Sequence, residues 1–468
     1  MRPSQFCGVA LIGFLGSCAL QSPSSQIDQA GTVPGSWSAT REAKAGVDHR
    51  WVRKIGGGEL ASLVAEALRA NPNLKASAAR VDQAAAVAKV AAAERYPSLG
   101  FGGQGTRQKQ NFIGFPGLGG GGGSITNSFG VSLDAAWEVD VWGKMKAGTE
   151  AAVADAEAQA QVYQGARTSL AAQVAKAWLA VAEANEQVAM AERAVKSREE
   201  SEDAVRSRFE RALAEEGGSA AQVRLSQSDL ASGRAELERR RSDQKQALRQ
   251  LELLLGRYPA AAIREGAKLP SMPSSPPVGL PSELLLRRPD ILEAERRLAA
   301  SGRRVDEARK ARFPSIRLTG GLGTATDQLS KILSSDFGVW SLGGSLSQPI
   351  FDGGRIQGGI ERAEAVDRES VANFQRIVLA AFGEVEQALS ADIFLKRRED
   401  ETSTAAKLAK EASDRAAEEY RAGTGDVLTY LTAQQREIDT STQLISLRRL
   451  RLANRVDLHL ALGGNFSL

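Results

Sequence analysis

Few side chains in this sequence are placed to do chemistry. There are two histidines and two cysteines in 468 residues, too few for a His/Cys metal cluster. His49 sits in a polar N-terminal stretch and His459 near the C-terminus, neither with a Cys or Asp partner at catalytic spacing. Gly343-Gly344-Ser345-Leu346-Ser347 lacks the closing glycine of a nucleophile elbow. Gly143-Lys144 lacks the earlier glycine of a phosphate loop, and the run Gly119–Gly123 leads into no Gly-Lys-Ser/Thr helix start. Catalysis, a metal and a cofactor are therefore not expected. With 60 basic against 56 acidic side chains, the charge gives no reason to expect nucleic acid.

One cysteine points to chemistry of another kind. Met1-Arg2, an apolar stretch from Phe6 to Leu15 and then Leu15-Gly16-Ser17-Cys18 describe a signal peptide too short to span a membrane as a mature helix. The last four residues resemble the bacterial lipobox, which implies cleavage after residue 17 and lipid modification of Cys18. Ala19 stands where an Asp would suggest inner-membrane retention, so the resemblance implies the outer membrane. Cys7 falls in the discarded part, and no disulfide framework remains. From Gln21 to Val52 the chain is polar and rich in Ser, Gly and Pro, as a tether would be. No later stretch offers ~18 uninterrupted apolar residues, so further membrane contact falls to strands or lipid.

The composition describes the elements that must do the positioning. Hydrophobic residues reach 42% but aromatics only 5%, which suits long Ala-rich helices packed closely. Internal repetition is plain. Pro72-Asn73-Leu74 recurs as Pro289-Asp290-Ile291, and Arg95-Tyr96-Pro97-Ser98-Leu99 recurs at the same offset as Arg312-Phe313-Pro314-Ser315-Ile316. Val131-Ser132-Leu133 and Val141-Trp142-Gly143 match Trp340-Ser341-Leu342 and Ile350-Phe351-Asp352. The halves meet in Tyr258–Pro281, which holds six of the fifteen prolines.

Each half repeats one order of elements. A helix over Asn73–Arg95 ends at Pro97, and Pro314 ends its counterpart. Period-two strands follow, with Phe129, Val131, Leu133, Ala135, Trp137, Val139 and Val141 on one face. Ile316, Leu318 and Leu322, then Trp340, Leu342 and Leu346, repeat the pattern. Such runs suit transmembrane β-strands, though a half-exposed soluble sheet looks similar. Tyr96 and Phe313 sit where the first strands begin, Trp142 and Phe351 where the second strands end. Chain direction puts all four at one level, as an interface aromatic girdle requires. Lys109–Asn127 and Ala325–Asp336 read as surface loops. Proline-free runs from Lys144 to Arg211 and from Gly354 to Arg421 would each reach roughly 100 Å as helices. Leu170, Val174, Ala177, Val181, Ala184, Val188, Ala191 and Val195 form a 4,3 coiled-coil seam, and Val371, Val378, Phe382, Val385 and Leu389 form a second. Gly217-Gly218 and Gly423/Gly425 break the helices, and Ser219–Leu255 and Asp426–Leu462 return. Four strands per chain cannot close a barrel, so a strand reading requires oligomers; three copies supply twelve.

The ordered motifs resemble the outer-membrane factor family, the TolC-like ducts, and its NodT-like lipoprotein branch. They are Pro34 with Trp37, Asn71-Pro72-Asn73-Leu74, Arg288-Pro289-Asp290-Ile291, Tyr96–Leu99, Phe313–Ile316, Trp142-Gly143, Gln348–Arg355 and Tyr420–Thr424. The resemblance implies a mainly α fold with a transmembrane β-barrel contribution: a homotrimer with a twelve-stranded barrel above a periplasmic α-barrel. It further implies an outer-membrane duct of a Gram-negative bacterium, coupled through a periplasmic adaptor to an inner-membrane pump of the RND type. The alternative is a periplasmic coiled-coil adaptor lipoprotein of the same type of machine. The expected organisation is a signal peptide at 1–17, a lipid-anchored tether at 18–58, repeats at 59–257 and 282–468, and a Pro-rich linker at 258–281. The hairpin breaks place Tyr420, Arg421, Asp426, Leu428, Leu431 and Thr432 at a periplasmic gate, with Glu215 and Glu216 at the other tip. Thr432 stands where the family commonly has an acidic residue, so its carboxylate ring is missing here.

Overall fold

Asn71 and the proline after it start the first long segment of helix. The Asn71 side chain accepts from the backbone N–H groups of Asn73 and Leu74 at 2.9 and 3.2 Å, and Pro72 occupies a first-turn position where no N–H is needed. The computed structural model describes residues 36–39, 50–110, 124–213, 219–263, 268–274, 279, 281–464 and 466. In order it contains α1 (Trp51–Ala70), α2 (Pro72–Ala93), β1 (Ser98–Gln110), β2 (Ser124–Glu138), α3 (Lys144–Leu213) and α4 (Ala220–Leu254). A single turn, α5 (Pro281–Leu284), precedes α6 (Pro289–Lys310), β3 (Ser315–Thr326), β4 (Gly338–Ser347), α7 (Arg355–Ala422) and α8 (Val427–Ala461).

The long helices run close to their expected bounds, at 70 residues for α3 and 68 for α7. Their return partners α4 and α8 have 35 each, so each hairpin fills only the lower half. The shorter α2 and α6 pack beside the upper halves. The seam is as the spacing requires: Leu170, Val174, Val181, Val188 and Ala191 are buried, while Ala177, Ala184 and Val195 are half-buried. The largest apolar core joins Trp51, Leu60 and Val64 of α1 to Val174, Trp178 and Leu179 of α3. It also takes in Leu248 and Leu251 of α4 and Leu452 and Val456 of α8. The two hairpins are thus held together by apolar packing at mid-height.

The four strands form one antiparallel sheet in chain order. Its register aligns Phe101, Leu133, Leu322 and Trp340 in a row across one face. Their exposures are 77%, 48%, 63% and 78%. One pleat away, Gly100, Asp134, Gly321 and Ser341 make a small, polar row on the other face. A soluble sheet buries its apolar face; this one presents it. Among the described residues no helix is long and apolar enough to cross a membrane.

Three boundaries differ from expectation. Helix α1 starts at Trp51, within the span expected for the tether, and Trp51, Val52 and Ile55 are buried. A kink at Gly56 and Gly57, the latter at φ 63°, hides the helix from composition. Strand β2 stops at Glu138, because Asp140 turns to accept from Met145 and Lys146 N–H and starts α3. The connector expected at Lys109–Asn127 is shorter, since pairing continues to Gln110↔Ser124; 111–123 lie outside the described residues. The second connector contains two 3₁₀ turns, Leu329–Lys331 and Ser335–Phe337.

Candidate functional site

The features that would make a path for solutes lie at three heights. At the top, the sheet's polar face lines a concavity of about 550 Å³ whose wall includes Gly102, Gly130, Ser132, Asp134, Gly321 and Ser341. Small residues keep this wall thin, and Gly130 and Gly323 each leave no room for a Cβ against the neighbouring backbone. Ser132 Oγ donates to Asp134 at 2.6 Å, holding the carboxylate on this face.

At the sheet's lower edge two of the four expected aromatics meet. Trp142 stacks on Phe313 with centroids 5.0 Å apart, and its Nε1–H donates to Pro314 O at 2.7 Å. Tyr96 and Phe351 lie at the two flanks of the sheet, strongly exposed, and do not join that pair. Trp137 adds a tie that the sequence did not disclose, donating from Nε1 to Arg95 O at 2.9 Å.

At the far end of the hairpins, some hundred ångströms from the sheet, the gate candidates divide into groups. Tyr420 is buried, stacks on Tyr430 at 5.7 Å and lies beneath the Arg208 guanidinium at 5.1 Å. Burial pushes its phenol above the usual tyrosine range, with Arg208 working against the shift. Asp426 caps α8, accepting from Leu428 and Thr429 N–H at 3.1 Å each. That use accounts for its carboxylate without any gating pair. Leu431 packs on the Tyr420–Tyr430 cluster, and also lines a groove of about 560 Å³ with Leu428, Thr432, Gln435 and Asp229. Arg421 lines a different groove, of about 980 Å³, with Asp414, Glu418 and Lys410. Glu215, Glu216 and Cys18 lie outside the described residues.

A strand sheet with an apolar outer row, a girdle edge and paired long hairpins narrows the possibilities, and sequence comparison decides. A family model described as outer membrane efflux protein matches residues 63–257 and 280–464. The chain belongs to that family. It is 33% identical over 459 residues to the outer membrane protein OprJ of Pseudomonas aeruginosa, covering 97% of this chain and 94% of OprJ. It is 28% identical over 464 residues to the probable outer membrane lipoprotein SilC of Salmonella typhimurium, covering 98% of each. The solved structure of the outer-membrane channel OprN superposes with a TM-score of 0.84 at 27% identity, covering 93% of this chain and 97% of that one. These relatives are channel and transport proteins, and this chain is an outer-membrane efflux channel. The adaptor alternative, which accounts for one hairpin and no barrel sheet, is not favoured.

In an efflux channel the contacts between hairpins matter most, and sequence reasoning missed them. Arg198 of α3 donates to Asp229 of α4 at 2.8 Å and to Gln435 of α8 at 2.5 Å. Ser201 donates to the Tyr430 hydroxyl at 2.8 Å, and Gln434 donates to Ser197 and Ser201 at 2.7 and 3.1 Å. Higher up, Gln187 donates to Thr442 O and Ser446 Oγ at 3.1 and 3.2 Å. Below the mid-height core, polar contacts thus run down to a smaller apolar cluster of Val205, Ala416, Tyr420, Val427 and Tyr430 at the tip. The available signal was faint: Gln187, Ser197 and Ser201 on α3 and Gln434 and Gln435 on α8 interrupt no apolar period.

Proposed function

We propose that three copies of this chain close one twelve-stranded barrel continuous with a helical tunnel, which passes solutes across the outer membrane without chemistry of its own. The observation that carries this reading is the exposed row Phe101–Leu133–Leu322–Trp340 on a sheet whose outer strands β1 and β4 have free edges. Lipid satisfies the row, but hydrocarbon does not tolerate unpaired strand edges, so neighbouring copies must pair them. Tyr96, Trp142, Phe313 and Phe351 form the periplasmic girdle. The solutes are delivered by an inner-membrane pump of the RND type through a periplasmic adaptor docked at the hairpin tips. The mature chain begins at a lipid-bearing Cys18, a second attachment in keeping with SilC's description as a lipoprotein, and is followed by the tether, two repeats and the linker between them. Detergent-solubilised protein should have three times the mature mass by light scattering; a stable folded monomer would contradict barrel and duct together.

The gate is the polar seam at the tip. The resting duct is closed there, where the α7–α8 hairpin is fastened to α3 through Tyr420, Tyr430, Gln434 and Gln435. Each such hydrogen bond contributes about 0.5–1.5 kcal/mol net, so adaptor binding exchanges them at modest cost while the apolar mid-height core stays intact. Arg421, Leu428, Leu431 and Thr432 line the grooves beside the moving helix and set how narrow the mouth is.

A further inference from the structure

The junctions between strands and helices carry a set of cations. Lys144 and Lys146 open α3 directly after Trp142, and Arg355 opens α7 after Phe351. Arg95 precedes Tyr96, and Lys310 and Arg312 precede Phe313. Neither long helix has an acidic residue in its first turn, so these cations oppose the helix dipole. Arg95 and Arg312 correspond between the repeats, as do Lys146 and Arg355, whereas Lys144 and Lys310 have no basic counterpart. Asp140 and Asp352 lie at the same junctions but are engaged by backbone N–H groups of the helix starts, Asp352 at 3.0 Å from Gly354 and 2.9 Å from Ile356. Lys310 Nζ donates to Gly143 O at 3.1 Å, which draws the ammonium next to the Trp142–Phe313 stack. Lys144 stands 3.4 Å from Glu138, and Lys146 stands 3.8 Å from Glu150 in a loose, exposed pair. Arg95, Arg312 and Arg355 are exposed as well.

We propose that this belt binds the headgroups of anionic phospholipids in the periplasm-facing leaflet of the outer membrane. The Trp142–Phe313 stack lies at the acyl boundary, and Lys146, with Lys310 beside the stack, meets the phosphate below it, whereas Lys144 is held by Glu138 of the sheet's polar face. The proposal rests on the barrel reading, because that reading puts hydrocarbon against the row Phe101–Leu133–Leu322–Trp340 and therefore headgroups against the next layer down. Charge complementarity selects among headgroups. A zwitterionic lipid brings its own ammonium to the belt, whereas phosphatidylglycerol brings uncompensated charge, worth a roughly fivefold preference per nearby cation.

The test uses the full-length protein extracted into an equimolar mixture of phosphatidylglycerol and phosphatidylethanolamine, with the retained lipids counted by native mass spectrometry. The wild type should retain phosphatidylglycerol in several-fold excess, and the combined variant Lys146→Gln, Arg355→Gln should lose most of that excess. The combined variant Arg107→Gln, Lys109→Gln, at the opposite edge of the sheet, should keep it. Equal retention of the two lipids by the wild type overturns the proposal. So does an excess that survives the junction substitutions, or one that vanishes with those at the opposite edge. The same spectra report subunit number, so failure of the trimer is read separately from failure of the lipid site.

Discussion

Replacing Arg198 tests whether the polar seam closes the duct. Its guanidinium is 9% exposed and the Asp229 carboxylate 29%, so that pair is largely shielded from water, whereas Gln435 is exposed and its bond belongs at the weak end of the range. A hydrogen bond to a charged group contributes about 1.5–3 kcal/mol. The bond to Asp229 stays within the α3–α4 hairpin and affects stability, whereas the bond to Gln435 crosses to the α7–α8 hairpin, the one proposed to move. Taking the lower end for the crossing bond, about 1.5 kcal/mol, its loss raises the open-to-closed ratio of a protomer by roughly tenfold. Gln435→Ala removes the crossing bond alone. Both Arg198→Ala and Gln435→Ala should therefore raise the open fraction of correctly assembled trimers in planar bilayers by a similar factor. The double variant should add little to either, because the two residues share the interaction. Arg198→Ala should in addition lower the thermal stability, since it leaves Asp229 half-buried and unpaired. Wild-type conductance in Gln435→Ala, or full additivity in the double variant, would remove this contact from the gate.

Three further outcomes are expected. Thr432→Asp should place a carboxylate in each groove beside Leu428, so that block of conductance by divalent cations sets in at severalfold lower concentration; Thr432→Ala, with no charge, should behave as wild type. Glu252 is buried, which raises its carboxyl pKa, but the N–H groups of Ala262, Ala261 and Ile263 outweigh burial and hold it below the usual range. Its contribution is thus complete at neutral pH and fades as pH falls below about 4.3 through the lowered value. Glu252→Gln should expose the 258–281 linker to protease at neutral pH, and the difference from wild type should close in acid; a difference independent of pH would refute the assignment. Cys18→Ser should abolish acyl labelling, and labelling that persists would refute the lipid anchor.

The elements were legible where periodicity was long. The 4,3 seam in α3 and the proline-free runs located both hairpins to within two or three residues, because burial along a long helix repeats one rule many times. Alternation found β2, β3 and β4, and the repeat implied β1, yet alternation overran β2 by three residues, since Val139 and Val141 keep the period while Asp140 is already turning to cap α3. Helix α1 was lost to Gly56-Gly57-Gly58, whose composition reads as linker although Trp51 and Leu60 on either side are buried. Chain order carried an expected level for each candidate site residue but none of its contacts. Order along the chain put Trp142 and Phe313 at one height, and only three-dimensional packing stacked them. The Arg198–Gln435 and Ser201–Tyr430 contacts join residues more than two hundred positions apart. On their own helices these side chains look like an ordinary solvated face.

The apolar core at mid-height also has a mechanical consequence. From Val181 at its edge to Arg208 beside Tyr420, α3 extends about 40 Å at 1.5 Å per residue. If the α7–α8 hairpin pivots at this fulcrum by about 10°, its tip sweeps roughly 7 Å, twice the reach of a hydrogen bond. Near Gln187, about 9 Å from the fulcrum, the same swing amounts to under 2 Å. Contacts at the tip must then break as a set while those at Gln187 merely stretch. In that motion the hairpin would be a lever arm that amplifies a small rotation into an aperture, with its length setting the gain: an insertion of two heptads in both helices of the hairpin below Gln187 would widen the sweep by about half for the same rotation.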